Sequence, residues 1–254
     1  MEALIDLWRT SSWADLVAPL VFLVSWGIYA ALADGSPRGR GGLARRLHEY
    51  RLAWMHEMLR RDNRIVDVQI IQLLAQNISF FASGAVLIVG GLVAVLGAGE
   101  QVQAIVADFP FAAEASPLLW DLKILLLIVI FVYAFFKFTW ALRQYNDLAV
   151  LMGAAPFAPG GDERFAERTA TVAGRAAGHF NRGMRAYYFG LAALSWFLHP
   201  YLLIAATFWV LLVVYRREFR SRMLEVLGPV GEPFTPLPPP AQGRDPGAPP
   251  DSLR

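Results

Sequence analysis

The chain has 254 residues, of which 56% are apolar and only 17% charged, and its mean hydropathy is +0.41. Apolar surface on that scale associates in water unless lipid covers it, which excludes a disordered chain, a coiled coil and a nucleic-acid-binding domain. A pI near 9.0 conceals a formal charge of only +2, and the lack of cysteine removes disulfides, thiolate metal sites and a cysteine nucleophile.

A hydrocarbon core of about 30 Å needs about 20 apolar residues of helix, because backbone groups in lipid must bond within their own segment. Four runs meet that requirement: 16–33, 68–98, 118–140 and 186–215. Before the first, residues 1–13 carry Glu2 and Asp6 against one Arg9, so they read as an external segment and not as the positive start of a cleaved signal. Trp8 and Trp13 are placed as interfacial aromatics.

The connection 34–67 holds eight arginines, from Arg38 to Arg64, and is assigned to the cytoplasm. Within it Leu43, Leu47, Tyr50, Trp54, Met58 and Ile65 recur at helical spacing, which predicts an amphipathic interfacial helix. His48 and His56 lie eight residues apart on that helix, about 12 Å, too far to share a metal ion.

The second run opens with Gln69, Gln72, Gln76 and Asn77, followed by Ser79 and Ser83. A heptad row, Gln76, Ser83, Gly90 and Gly97, continues this face beside Asn77, Gly84 and Gly91. Polar groups within an apolar run are costly, so this face is either a close helix–helix seam or the lining of a wet vestibule.

The loop 99–117 has no Lys or Arg and carries Glu100, Asp108 and Glu114, which assigns it to the outside. The third run has Asp121 and Lys123 near its outer end and Lys137 near its inner end; Asp121 is close enough to the interface to stay hydrated, and Lys137 can snorkel toward the headgroups. The connection 141–184 is basic again and cytoplasmic, with a second amphipathic candidate at 165–182.

The fourth run raises a conflict. A single crossing would put the tail outside, yet Arg216, Arg217, Arg220 and Arg222 argue that it stays inside. Pro200 removes a helix donor near the middle of the run, so a hairpin is expected, with limbs 185–198 and 200–215 and His199 as a turn residue. A single kinked helix of about 45 Å is the alternative. Residues 228–254 hold nine of the 16 prolines, including the PxxP spacing of Pro233 and Pro236, and read as a disordered tail.

The predicted fold is therefore an all-α polytopic transmembrane bundle with five membrane segments plus amphipathic cytoplasmic helices, its membrane domain covering 14–227. Three blocks of sequence carry a resemblance: Asp67-Val68-Gln69 leading to 79–83, Arg143-Gln144-Tyr145-Asn146 with 153–156, and Phe180-Asn181-Arg182-Gly183 through 185–189 to Trp196 and His199-Pro200. Over roughly residues 10–220 the chain resembles the bacterial members of the membrane-protein family called domain of unknown function 599, which also has plant members. The resemblance implies a multi-helix integral membrane protein and transfers no catalytic residue.

It also directs attention to Asn146, Asn181, Arg182 and Arg185 at predicted cytoplasmic helix ends. There they could meet Gln69, Gln72 and Asp67 in a polar cluster that orients helices or binds a lipid headgroup or another anion. The expected role is a structural or interaction protein of the bacterial inner membrane, N-terminus outside and C-terminus cytoplasmic. Its partners would be membrane lipids, anionic ones included, with self-association left open. Transport of a small solute or ion along the Gln69, Gln72, Gln76 and Asn77 face is the alternative, and an intramembrane enzyme ranks third because no activated nucleophile or acid–base pair is visible. No cofactor, metal or nucleic acid is expected.

Overall fold

In the computed structural model of the protein the described residues are 13–35, 43–99, 101–102, 116–158, 161–219, 223 and 226–227. The expected external segment before Trp13, most of the expected outer loop and the proline-rich tail lie outside them. Among the described residues there is no strand, and six α-helices follow one another: α1 Trp13–Gly35, α2 Leu43–Arg60, α3 Ile65–Gly97, α4 Pro117–Gly153, α5 Glu163–Leu194 and α6 Pro200–Phe219. A 3₁₀ turn, Ser195–Phe197, joins α5 to the approach of α6. Four of these helices, α1, α3, α4 and α6, are long and apolar enough to cross a membrane.

Local chemistry sets the helix starts. The Ser116 side chain accepts from the Leu119 N–H at 3.3 Å ahead of Pro117 at the first helical position, and the Asp162 carboxylate accepts from the Phe165 N–H at 3.0 Å. At the far end of α4, Arg64 donates to the Ala155 carbonyl at 2.5 Å and the Pro156 carbonyl at 2.8 Å, satisfying acceptors that follow the helix.

The centre of the bundle is α4, which packs most extensively against α5 and then α3. Trp120, Ile124, Leu127, Phe131, Ala134, Phe138, Ala141, Tyr145, Leu148 and Met152 are all buried, and their spacing alternates four and three along the whole helix. That period of 3.5 is the seam of a left-handed supercoil. Opposite it, α5 presents small residues. An added Cβ on Gly183 would lie 2.6 Å from the Phe138 ring, and one on Gly190 would lie 2.9 Å from the Phe131 ring. Successive heptads of α5 therefore meet preceding heptads of α4, so the two helices are antiparallel.

The turn at His199 and Pro200 makes a hairpin, as expected. Arg217 of α6 donates to the Tyr188 hydroxyl of α5 at 2.7 Å, and Arg185 lies 3.6 Å from Glu218, so the limbs run side by side in opposite directions. His199 accepts from the Tyr201 N–H at 3.2 Å through Nδ1 and stacks on the Tyr201 ring, the role of a bonded turn residue. The limb before the turn does not begin at 185, however. It is the last third of α5, which starts at Glu163 and absorbs the amphipathic segment predicted separately at 165–182. Likewise α4 runs on to Gly153, thirteen residues past the predicted end at 140.

At the hairpin turn Lys123 is buried. Its ammonium donates to the Trp196 carbonyl at 3.0 Å and lies over the Trp196 and Phe197 rings. The Trp196 indole N–H reaches the buried Asp15 carboxylate at 3.3 Å, so α1, α4 and the hairpin turn share one polar clasp. Asp121 remains exposed, and Lys137 sits 5.0 Å from the centre of the Tyr133 ring.

Candidate functional site

At the end of the bundle opposite the hairpin turn, charged side chains form one level. Arg182 Nε meets Asp34 Oδ2 at 2.9 Å, Arg185 meets Asp34 Oδ1 at 2.6 Å, and the Tyr29 hydroxyl donates to Glu218 at 2.6 Å. Arg185 is the tie among them, because its buried guanidinium engages α1 through Asp34 and α6 through Glu218. Gly183 is two residues away, and Phe138 packs on it; Phe81 of α3 lies 5.8 Å from Phe138, ring to ring. This places Phe81, Phe138 and Gly183 close to the charged level. So many charges at one level are costly within hydrocarbon, and the level is a boundary in the polarity of the bundle.

The boundary changes the meaning of α3. With 33 residues the helix is about 50 Å long, well over the roughly 30 Å of hydrocarbon. Arg64 contacts the end of α4 beyond Met152, so α3 and α4 are antiparallel and both project past the charged level. Residues 79–97 lie on the apolar side and 65–78 project beyond it. Gln69, Gln72, Gln76 and Asn77 lie on this projecting stretch, and all four are exposed.

The inward face of the projecting stretch is made by Asp67, Ile71 and Ile78. Asp67 accepts from the Trp54 indole at 2.7 Å and from Arg61 at 3.0 Å, fixing α2 to the start of α3. Ile65 is exposed and begins α3, so it does not continue the apolar face of α2 as predicted. Met58 of the predicted face is buried, together with Met55 and Leu59, and that face is docked on α5.

Docking α2 against α5 encloses a cavity of about 890 Å³ walled by α1, α2, α5 and α6. Five arginines line it, Arg51, Arg175, Arg182, Arg185 and Arg217, against two carboxylates, Asp34 and Glu218. The carboxylates are already engaged by Arg182 and Arg185. Among the described residues Arg51, Arg175 and Arg217 make no ion pair, and burial lowers the Arg51 guanidinium's affinity for its proton, with Tyr145 opposing that shift. His48 and His179 add nitrogen to the wall. Burial holds the His179 pKa below its usual 6.5, and Arg182 and Lys137 push the same way. The ring stacks on Trp140 at 6.5 Å, with Nδ1 buried and unbonded.

Of the residues singled out from sequence, Asn181, Arg182 and Arg185 come together on this cavity. Gln69, Gln72, Gln76 and Asn77 are on a helix that does not line it, and Asn146, exposed on α4, does not line it either. The expected meeting of Arg182 and Arg185 with Gln69, Gln72 and Asp67 does not occur, because Asp34 and Glu218 hold those arginines. Sequence reasoning missed Asp34 and Glu218, although each is a lone acid at the end of an apolar run, and it missed Arg51, Arg175 and Arg217 as members of one wall. Among the described residues no three His, Asp or Glu side chains are grouped to hold a metal.

The chain belongs to the family described as "protein of unknown function, DUF599", which matches residues 17–223. No curated protein and no solved structure matches it.

Proposed function

We propose that this member of the DUF599 family is a structural protein of the bacterial inner membrane that associates with a second copy of itself along α3. Its arginine-rich end faces the cytoplasm with the C-terminus, and its N-terminus is outside, in keeping with the retention of positive loops. The observation that carries the reading is the exposed face of α3. Beyond the charged level it combines Ile65, Val66, Val68, Ile70 and Leu73 with the amides of Gln69, Gln72, Gln76 and Asn77, without one charged side chain. Interface cores are likewise depleted of charge. Within the membrane the same heptad row continues as Ser83, Gly90 and Gly97, all exposed, and a Cβ on Gly90, Gly91 or Gly97 would meet nothing within 4 Å.

The occupant follows from chemistry and depth. An amide donates and accepts, so an uncharged amide row is complementary to itself across a two-fold axis. A second α3 also brings small residues to the membrane portion, where close backbone approach drives association. In this reading the protein is not an enzyme, and the polar face does not conduct a solute within one chain.

Light scattering of the purified protein in detergent tests the proposal. A particle containing two chains of 28.2 kDa is expected. The double variant Gln72→Leu/Gln76→Leu should dissociate about tenfold more readily, since each hydrogen bond contributes about 0.5–1.5 kcal/mol net. A single-chain particle at all concentrations would refute it.

A further inference from the structure

We infer that the cavity among α1, α2, α5 and α6 is a binding site for a phosphate-bearing anion at the membrane boundary, the headgroup of an anionic phospholipid in preference to free phosphate. Three observations support it. The wall carries an excess of three positive charges when its five arginines are set against Asp34 and Glu218 and the histidines are neutral. Those two acids are already bonded to Arg182 and Arg185, so among the described residues the guanidiniums without an ion pair are Arg51, Arg175 and Arg217. Planar guanidinium forks match phosphate oxygens with paired hydrogen bonds, and several around one cavity suit a phosphodiester better than a point charge would.

The cavity is also kept open. At about 890 Å³ it falls within the roughly 300–1,000 Å³ of ordinary ligand cavities. Gly174 and Gly178 stand one turn apart on α5 and both line it, and a Cβ at Gly178 would meet nothing within 4 Å. Larger residues there would favour the helix and fill the space. The position fits a lipid. Asp34 and Arg185 mark the end of the hydrocarbon, and Leu43, Leu47, Met184 and Val214 add apolar wall beside the guanidiniums. A headgroup needs both surfaces, whereas free phosphate needs only the first.

This inference does not rest on the pairing of two chains, since the cavity is built from one. Native mass spectrometry of the delipidated full chain, offered phosphatidylglycerol or phosphatidylcholine with the same acyl chains, tests it. One phosphatidylglycerol retained per chain is expected, with phosphatidylcholine at least about tenfold weaker. Two variants should each cut that retention about tenfold or more, Arg51→Gln/Arg175→Gln by removing charge-assisted contacts and Gly178→Leu by filling the cavity. Far-UV circular dichroism and a monodisperse elution profile establish that each is folded, and should Gly178→Leu fail that check the arginine pair decides alone. A thermal melt with inorganic phosphate separates the sources. Stabilisation by millimolar phosphate that the arginine variant abolishes, without a preference for phosphatidylglycerol, keeps the anion site and assigns it to free phosphate. Equal retention of both lipids without a phosphate effect, or phosphatidylglycerol retention unchanged in the folded arginine variant, overturns the site.

Discussion

Gly183 and Gly190 control how closely α5 approaches α4, and they do so through two buried phenylalanines. A methyl group on Gly183 would lie 2.6–2.8 Å from three atoms of the Phe138 ring, which is itself fully buried and cannot swing into free space. Gly183→Ala should therefore destabilise the protein by about 1–3 kcal/mol, the usual cost of overpacking, read as a lower melting temperature. Gly178→Ala is the matched control. Its added methyl meets nothing within 4 Å, so the gain in helix propensity should leave the protein as stable or up to about 1 kcal/mol more so.

His179 supplies a pH dependence whose sign can be worked out. Burial, then Arg182 and Lys137, lower its pKa from 6.5, so the unfolded chain holds the imidazole proton more tightly than the folded one. The contribution is fully present above about 6.5 and is lost as pH falls through that value toward the lower folded pKa. Melting curves between pH 8 and 5 should fall more steeply for the wild type than for His179→Phe, which keeps a ring over Trp140 and has no proton to take. Parallel curves would show that His179 does not contribute.

At the scale of elements, what sequence could reveal depended on the solvent around each helix. The predicted run at 118–140 recovered the apolar part of α4 but not its extension, and the reason lies in the seam residues. Within lipid the outward positions are as apolar as the inward ones, so the alternation of Ile124, Leu127, Phe131 and Ala134 has no polar contrast. Beyond Trp140 the contrast returns, with Ala141, Tyr145, Leu148 and Met152 buried and Arg143, Asn146 and Asp147 exposed. That periodicity was available as a signal that the helix continued. The hairpin was legible because two independent signals met at Pro200: a helix-breaking residue and a basic segment on the wrong side for a single crossing. The predicted run at 68–98 contained a clue of another kind. A run longer than the hydrocarbon must project, tilt or bend, and α3 carries its amides past the charged level.

At the scale of the whole molecule, the directions of the helices bring the basic connections to one end. Trp13 lies against Tyr201 and Tyr29 against Glu218, so α1 and α6 are parallel, while α5 runs against both. The ends of α1, α4 and α6 and the starts of α3 and α5 thus point to one end of the molecule, and the candidate cavity forms there among α1, α2, α5 and α6. Of that site Arg182, Arg185 and Asn181 were visible in advance. Their partners were not, because Asp34 is 148 residues from Arg182 in sequence and only the packing of α1 on α6 and α5 brings it near. Facing away from this cluster, α3 carries the uncharged surface on which the proposed assembly depends.

The natural absence of cysteine makes that surface accessible to a direct measurement. Single cysteines introduced as Gln76→Cys, Ser83→Cys and Gly90→Cys, one at a time, should give disulfide-linked dimers on mild oxidation in native membranes. No comparable product is expected from Val129→Cys, although Val129 of α4 is exposed at 56%. Cross-linking at Val129 as efficient as at the three α3 positions, or none at all along α3, would contradict the claim that two copies meet there.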